Sequence, residues 1–415
     1  MSLEETDNDF KEFSMSSKNR QKPILVQTLS AEVNWTSVGL DLAKFDLSVV
    51  GLSDSDQIYG IDRIAYDKFF EMTVKLKPTI FSMEPCNGAR VIAQQLRNQG
   101  HQVRMISGNA VSTYVETHLG AQKNDINDAQ ALAFLNLDKQ LIPIREKTPH
   151  EARLLTLFSI RKHYVEERSS SITAFKGLMQ SWGISIKRSM CSLKNLKAFV
   201  LDHTGVLEPA VTDALLSMIE EIEVLNHRIT EMNKRINEEI SKDERHALIK
   251  TMPFIGPTTE CRLLATVGDI SRFSRPRHMQ AFYGLVPRNL ATGHNGRSGR
   301  MSKRGDKEMR TQLIECACAL YMAYARGRFP DCGIKKWIDK KVNNGTRYGL
   351  LISALAGKLS RILWALLVHG QEFDIKRAGL SREAIKTMGN YVVDTETGVV
   401  VKHLVADEAT MAIPA

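Results

Sequence analysis

The period of the apolar residues changes along this chain, and that change is the strongest constraint on its fold. From Thr36 the stretch TSVGLDLAKFDLSVVGL carries two short β-type runs, and QIYGIDRIA continues them. Such runs, separated by short polar breaks, read as a meander of three antiparallel strands. The spacing next predicts a helix around 67–76, an apolar strand over 79–83 and a helix over 89–97 ended by Gly100. A strand over 103–106 and helical patterns to about Leu137 follow. Three strands followed by strand–helix alternation is an α/β order.

Residues 149–242 switch to a helical period. Leu215, Met218, Ile222, Leu225, Ile229, Met232 and Ile236 alternate spacings of three and four, an a/d seam flanked by Glu, Lys and Arg. Phe158, Val165, Ile172 and Met179 repeat every seven in an earlier helix, with Gly205 and Pro209 marking the break between the two. The pair either packs as a hairpin or one helix pairs with another subunit; the pattern allows both. The order of the first region matches the ribonuclease-H-like fold. The expectation is an α/β ribonuclease-H-like (RuvC-like) N-terminal domain over 35–148, preceded by a flexible arm over 1–34. A helical coiled-coil region over 149–245, a mainly α C-terminal domain over 246–372 and a tail over 373–415 complete it.

Of the 415 residues, 43% are hydrophobic and 25% charged, which excludes disorder of the whole chain. Lys and Arg outnumber Asp and Glu by 56 to 47, a net charge of +9 that favours a polyanion, nucleic acid above all. The six cysteines are scattered with no CxxC pair, which argues against a zinc ribbon and for reduced thiols in a cytosol. The first 35 residues do not read as a signal peptide. The apolar stretch Gly349–Val368 carries Lys358 and Arg361, so it reads as a buried or amphipathic helix, and no membrane partner is expected.

Four acids stand out by position. Asp41 lies inside an apolar strand in VGLDLAK, and a buried charge there needs a partner. Glu84 closes the strand TIFSME, and Asp125 and Asp128 in KNDINDAQAL share one helix face. In a ribonuclease-H-like sheet these four carboxylates converge, and converged carboxylates call for a hard cation such as Mg²⁺ to polarise a phosphodiester. Lys44 and Lys123 flank them as candidate phosphate contacts.

Residues 247–263 read as helix, tight turn, helix, a weak helix-hairpin-helix signal in which Phe254 stands where a glycine is usual. Residues 284–310, GLVPRNLATGHNGRSGRMSKRGDKEMR, have no apolar period and read as mostly loop. A basic stretch follows at Lys335, Lys336, Lys340, Lys341 and Arg347.

At these residues the chain resembles a known family. GLDLAK, then ME, then KNDINDAQALA resembles the DEDD domain of insertion-sequence family one hundred and ten, to which the Piv/MooV invertases are related. FIGPTTECRLLATVGDISRFSRPRHMQAFYGLVPR followed by GRMSKRGDKEMRTQL resembles that family's C-terminal transposase domain, in the form closest to the branch of insertion sequence eleven hundred and eleven. The match covers roughly residues 36–372. The resemblance implies a DNA transposase or recombinase acting on element ends and target, guided by a noncoding bridge or seeker RNA. It further implies homodimers assembling into homotetramers and a cytoplasmic, nucleoid-associated setting in a prokaryote.

It also implies a hydroxyl nucleophile that bonds covalently to DNA phosphate: the serine of a Ser-Gly after GL-x-P-R. Here Thr292–Gly293 occupies that register, and a second Ser-Gly, Ser298–Gly299, lies six residues on. Thr292 as nucleophile, Ser298 as nucleophile and a weakened copy are the three readings; His294 is a candidate base, metal-activated water another. Around the hydroxyls Arg288, Arg297, Arg300, Lys303, Arg304 and Arg310 are candidate phosphate forks, and Gly284, Gly293 and Gly305 candidate points of backbone approach to DNA. An invertase or Holliday-junction resolvase sharing the DEDD domain is the competing enzyme reading, and a non-enzymatic nucleic-acid-binding relic a third.

Overall fold

The structure is a computed structural model that describes residues 21–120, 124–186, 193–289, 298–327, 333–373, 391–393 and 400–403. The chain divides into two compact units, Met1–Lys147 and Thr148–Ala415.

The first unit is built on a six-stranded sheet of β1 (Ile24–Leu25), β2 (Trp35–Leu42), β3 (Asp46–Ser53), β4 (Ile58–Ala65), β5 (Ile80–Met83) and β6 (Gln102–Met105). Their order across the sheet is β1-β4-β3-β2-β5-β6. The β2–β3 and β3–β4 pairs are antiparallel, whereas β5 and β6 add in parallel beside β2. Helices α1 (Tyr66–Thr73), α2 (Ala89–Asn98), α3 (Gly108–Tyr114) and α4 (Asp125–Leu135) fall between and after the strands, with a π-helical turn at Val115–Leu119 following α3. The alternating strand residues feed two cores. Val38, Leu40, Val49 and Phe81 pack with Phe69, Met72, Ala93 and Leu96. Val50, Leu52 and Ile58 pack with Val111, Ala129 and Leu132. A strand that alternates between two cores is buried on both faces, which is why every residue of β3 from Leu47 to Ser53 is buried.

The second unit opens with α5 (Pro149–Ser181), started by a capping box between Thr148 and Glu151 with Pro149 at its first position. Then come α6 (Leu193–Leu201), α7 (Pro209–Ile240), α8 (His246–Ile249), α9 (Pro257–Val267) and α10 (Pro276–Phe282). β7 (Pro287–Asn289) and β8 (Ser298–Met301) precede α11 (Lys307–Ala325), α12 (Gly333–Asn343) and α13 (Tyr348–His369), and β9 (Tyr391–Val393) pairs with β10 (Val400–His403).

Helices α5 and α7 pack on each other within the chain, and the residue pairs run antiparallel: His150 with Glu239, Arg161 with Asn233, Arg168 with Asn226. The expected seam is shifted in two places. Ile219 is buried where Met218 was expected, and Val165 is only half-buried. Between Phe158 and Ile172 the α5 face is instead filled by Arg161 and Arg168, whose guanidiniums donate to Asn233 Oδ1 at 2.6 Å and Asn226 Oδ1 at 3.0 Å. Arginine stems cover apolar surface while their heads take the amide oxygens. The ends of this helix pair share a core with the C-terminal region: Leu154, Phe158, Ile236 and Ile240 pack with Leu263, Tyr283, Leu313 and Leu355.

Among the described residues α13 is the one helix long and apolar enough to cross a membrane by length and composition. Its Leu351, Leu355, Leu359 and Leu363 are buried in that same core. In the turn between α8 and α9, Phe254 adopts φ 70°, the left-handed backbone for which glycine is the usual residue.

Candidate active site

The first unit places Asp41 and Glu84 by register. β2 and β5 run parallel with Leu40 opposite Met83, so the next residue on each, Asp41 and Glu84, ends up at the same edge of the sheet. Helix α4 lies directly against β2 because Gly39 has no side chain. A Cβ there would stand 2.0 Å from the Ala129 carbonyl oxygen and 2.4 Å from the Ala133 nitrogen. Buried hydrogen bonds fix that contact: Ser37 Oγ donates to Ala133 O at 2.7 Å, and Ser82 Oγ to Leu132 O at 2.9 Å. Asn136 Nδ2 donates to Ser37 Oγ at 2.9 Å and Ile80 O at 3.1 Å. Each of these satisfies a polar group that burial would otherwise penalise.

At the other end of α4, Asn124 caps the helix by accepting from Asn127 N at 2.7 Å. Asp125 and Asp128 follow in the first turn, where the helix dipole favours carboxylates. Asp128 is buried; Asp125 is exposed and stands 3.9 Å from the Arg63 guanidinium, an exposed pair of little energetic weight. Among the described residues no three Asp, Glu, His or Cys side chains are gathered to hold a metal ion. The meeting of four carboxylates at one point is thus not closed here: two are brought to one sheet edge, and two to the first turn of the helix packed across it.

Several neighbours of this edge carry no signal in the sequence pattern. Gly108, at the start of α3, leaves room for the Glu84 carboxylate, since a Cβ there would lie 2.7 Å from Glu84 Oε2. Burial, then the charges of Asp41 and Glu84, push the Cys86 thiol pKa up. Burial also raises the Tyr66 phenol, with Cys86, Asp46 and Asp41 adding to it. Tyr66 donates to the Ala43 carbonyl at 2.7 Å and so ties the β2–β3 turn down. Lys44 is exposed on that turn, its ammonium 5.0 Å from the Phe45 ring centroid. Lys123 lies outside the described residues.

In the second unit the described part of the glycine- and arginine-rich segment contains a short strand pair. β7 and β8 pair antiparallel, with Pro287 opposite Met301 and Asn289 opposite Ser298. Ser298 therefore begins a strand, while Thr292, Gly293, His294 and Arg297 lie outside the described residues. Arg288, Arg300, Lys303 and Arg304 are exposed. Two of the expected groups of contact residues make internal contacts here. Gly284 and Gly305 lie against their own domain's backbone. A Cβ on Gly284 would meet Arg304 O at 2.1 Å, one on Gly305 would meet Phe282 O at 2.0 Å, and both have positive φ. Arg310 is buried and its guanidinium donates to Tyr283 O at 3.0 Å. Beside it, Asp306 caps α11 by accepting from Met309 N at 2.8 Å and pairs with Arg262 at 2.7 Å.

The two halves of the chain match two family models. A DEDD transposase model of the IS110 type matches residues 38–183, which carry Asp41, Glu84, Asp125 and Asp128. A second, described as Transposase IS116/IS110/IS902 family, matches residues 246–329, which carry the β7–β8 hairpin. The chain is 28% identical to the transposase of insertion sequence element IS1328 from Yersinia enterocolitica over 345 residues, 82% of this chain and 99% of that relative. The chain belongs to the IS110 family of transposases. It is 27% identical to the transposase of IS1111A from Coxiella burnetii over 339 residues, 81% of this chain and 90% of the relative. A pilin gene-inverting protein of Moraxella bovis is 23% identical over 275 residues, 66% of this chain and 75% of the relative. This IS110-family member is accordingly a DNA transposase or recombinase, and its DEDD domain points to a divalent metal ion.

Proposed function

We propose that this IS110-family protein is an RNA-guided transposase that cuts and rejoins DNA through a covalent protein–DNA intermediate. Its first unit acts as a ribonuclease-H-like (RuvC-like) domain, and Asp41, Glu84, Asp125 and Asp128 hold Mg²⁺. The observation that carries the reading is the parallel β2–β5 register, which sets Asp41 and Glu84 at one sheet edge beside the helix bearing the other two acids. The donor set suits the ion: carboxylate oxygens are hard ligands, and the space a Cβ would fill at Gly108 admits the Glu84 carboxylate. When bound, Mg²⁺ supplies charge stabilisation at a phosphodiester.

The chain's own residues do the rest. Thr292, or Ser298 six residues on, provides the hydroxyl that attacks phosphorus; the 5′ or 3′ oxygen of the cut strand leaves, and reversal of the step reseals it. The nucleophile's proton passes to a base, for which His294 is a candidate. Arg288, Arg297, Arg300, Lys303 and Arg304 hold phosphate oxygens, and Lys44 and Lys123 hold them beside the carboxylates. Base pairing by a noncoding guide RNA selects element ends and target, leaving the protein to read backbone and shape. The α5–α7 pair serves as a coiled-coil element in a homodimer that assembles to a homotetramer, working in the cytoplasm at the nucleoid.

The test is a denaturing gel of the protein with its copurified RNA, Mg²⁺ and labelled element-end DNA. An adduct present in wild type and Ser298→Ala but absent in Thr292→Ala and Asp41→Ala is the expected result. Loss with Ser298→Ala alone moves the nucleophile to Ser298. The likeness to the pilin gene-inverting protein favours a second reading, a site-specific invertase or a junction resolvase using water. Nicked DNA with no adduct in any lane selects it.

A further inference from the structure

The β2–β3 turn, Ala43-Lys44-Phe45 between Leu42 and Asp46, projects from the sheet edge that carries Asp41. Turns favour Gly, Asn, Asp and Pro. This one puts a phenylalanine at its tip with 76% of its surface exposed. A lone exposed apolar residue is ordinary on a protein surface, so exposure alone assigns nothing. Three features set Phe45 apart. Its turn is held at both sides: Ala43 N donates to Asp46 O at 3.0 Å, and the Tyr66 hydroxyl donates to Ala43 O at 2.7 Å. Ala43 lies two residues beyond Asp41, just past the end of β2, so the anchor belongs to the carboxylate edge. The Lys44 ammonium stands 5.0 Å from the ring centroid, placing a cation and an aromatic face together. A fixed aromatic beside a cation is the pairing that stacks an unpaired base and holds its phosphate.

We propose that Phe45 is a base-stacking wedge, engaging an unstacked base of single-stranded or opened DNA next to the scissile phosphate, with Lys44 on the adjoining phosphate. This rests on the reading of the Asp41–Glu84 edge as the cleavage centre. Inserted phenylalanines unstack base steps elsewhere in DNA recognition. Here such insertion presents the strand to the carboxylates.

The full-length protein is titrated in Ca²⁺ against two labelled duplexes of one sequence, fully paired or with a central unpaired bubble, and against the single strand as RNA. Wild type is expected to prefer the bubble by about tenfold, the scale of one stacked base. Phe45→Ala removes the preference and leaves duplex affinity and melting temperature unchanged. Phe45→Trp keeps it, and bubble DNA quenches emission beyond that of the native tryptophans. Lys44→Ala weakens both duplexes alike. A bubble preference that survives Phe45→Ala overturns the proposal, as does equal loss on both duplexes or a Phe45 contribution seen with RNA alone. Asp41→Asn is assayed separately for strand cleavage. If that variant still cuts, the cleavage-centre reading fails whatever the binding arms show.

Discussion

The carboxylate edge of the first unit and the basic hairpin of the second are built in opposite ways. The acids sit at the ends of buried elements, and buried hydrogen bonds tie the sheet to α4 beneath them: Ser37 to Ala133, Ser82 to Leu132, Asn136 to Ile80. The cations sit on and after a short two-stranded hairpin, where Arg288, Arg300, Lys303 and Arg304 face solvent. Position is fixed in the first case and charge is offered in the second. Substitutions at the carboxylate edge should therefore move chemistry or collapse the fold, while those on the hairpin should move affinity in a salt-dependent way.

The sharpest break of that contrast is Asp41→Asn. It keeps size and hydrogen-bonding capacity and removes the charge. Strand cleavage should fall by about 10²–10³ or more, the scale of losing one well-placed electrostatic group. The melting curve should hold its position. Residual cleavage within a few-fold of wild type would move the catalytic role elsewhere.

Two glycines then separate position from chemistry at the same edge. Gly39→Ala drives a Cβ into the backbone of α4, which cannot yield without leaving the sheet. Overpacking of that kind costs roughly 3 kcal/mol or more, read as a lower unfolding midpoint. Gly108→Ala meets only the far end of the Glu84 side chain, which can swing away. Stability should stay near wild type while cleavage falls. Equal melting of both variants would show that α4 is not held by the Gly39 contact.

The apolar period made much of this edge legible. VGLDLAK and TIFSME read as strands, and their parallel pairing follows from the two antiparallel strands and the helix α1 that lie between them. The role of Gly39 was not legible, because a glycine in a strand does not say which helix crosses it. Nor were Cys86 and Tyr66, distant from Asp41 in sequence, whose pKa values the Asp41 charge helps to raise in the folded chain. In the second unit the heptad rule placed Ile222 to Ile236 but missed Arg161 and Arg168, since the rule counts apolar residues and an arginine stem fills a seam equally well. The basic segment was least legible. An arginine code is the same whether the guanidinium forks onto a phosphate or, as at Arg310, onto the Tyr283 carbonyl.

Arg310→Ala tests that distinction. Losing a buried charged donor leaves the Tyr283 carbonyl short of its partner, which costs about 2 kcal/mol. DNA affinity of the folded fraction should not change. A variant of native stability with weakened DNA binding would return Arg310 to the phosphate contacts.

The acids of the second unit mark the contrast from the other side, because Glu239 serves the fold. Its hydrogen bonds from Lys242, then Arg153, hold its pKa at about 2, well below the ordinary 4.5. A depressed folded pKa adds stability that is present above the unfolded value and lost as pH falls. The acid limb of the stability curve should therefore drop between pH 4.5 and about 2. Glu239→Gln should flatten that limb and lower the neutral plateau. An unchanged limb would assign acid unfolding to other carboxylates.

The smallest effect belongs to the hairpin itself. Lys303 and Arg304 are exposed, and Lys303 already holds φ 57°. Truncating either side chain leaves backbone contacts such as Lys303 N to Gly284 O intact. Stability should move by no more than about 0.5 kcal/mol. What changes is counterion release: each phosphate contact removed should lower the slope of log affinity against log salt by about 0.9. Lys303→Ala and Arg304→Ala should each show that step on duplexes of unrelated sequence, and the double variant should show roughly twice it. A slope unchanged in the double variant would mean that these two cations face solvent in the complex as they do in the free chain. The DNA contacts of the second unit would then lie with Arg288 and Arg300.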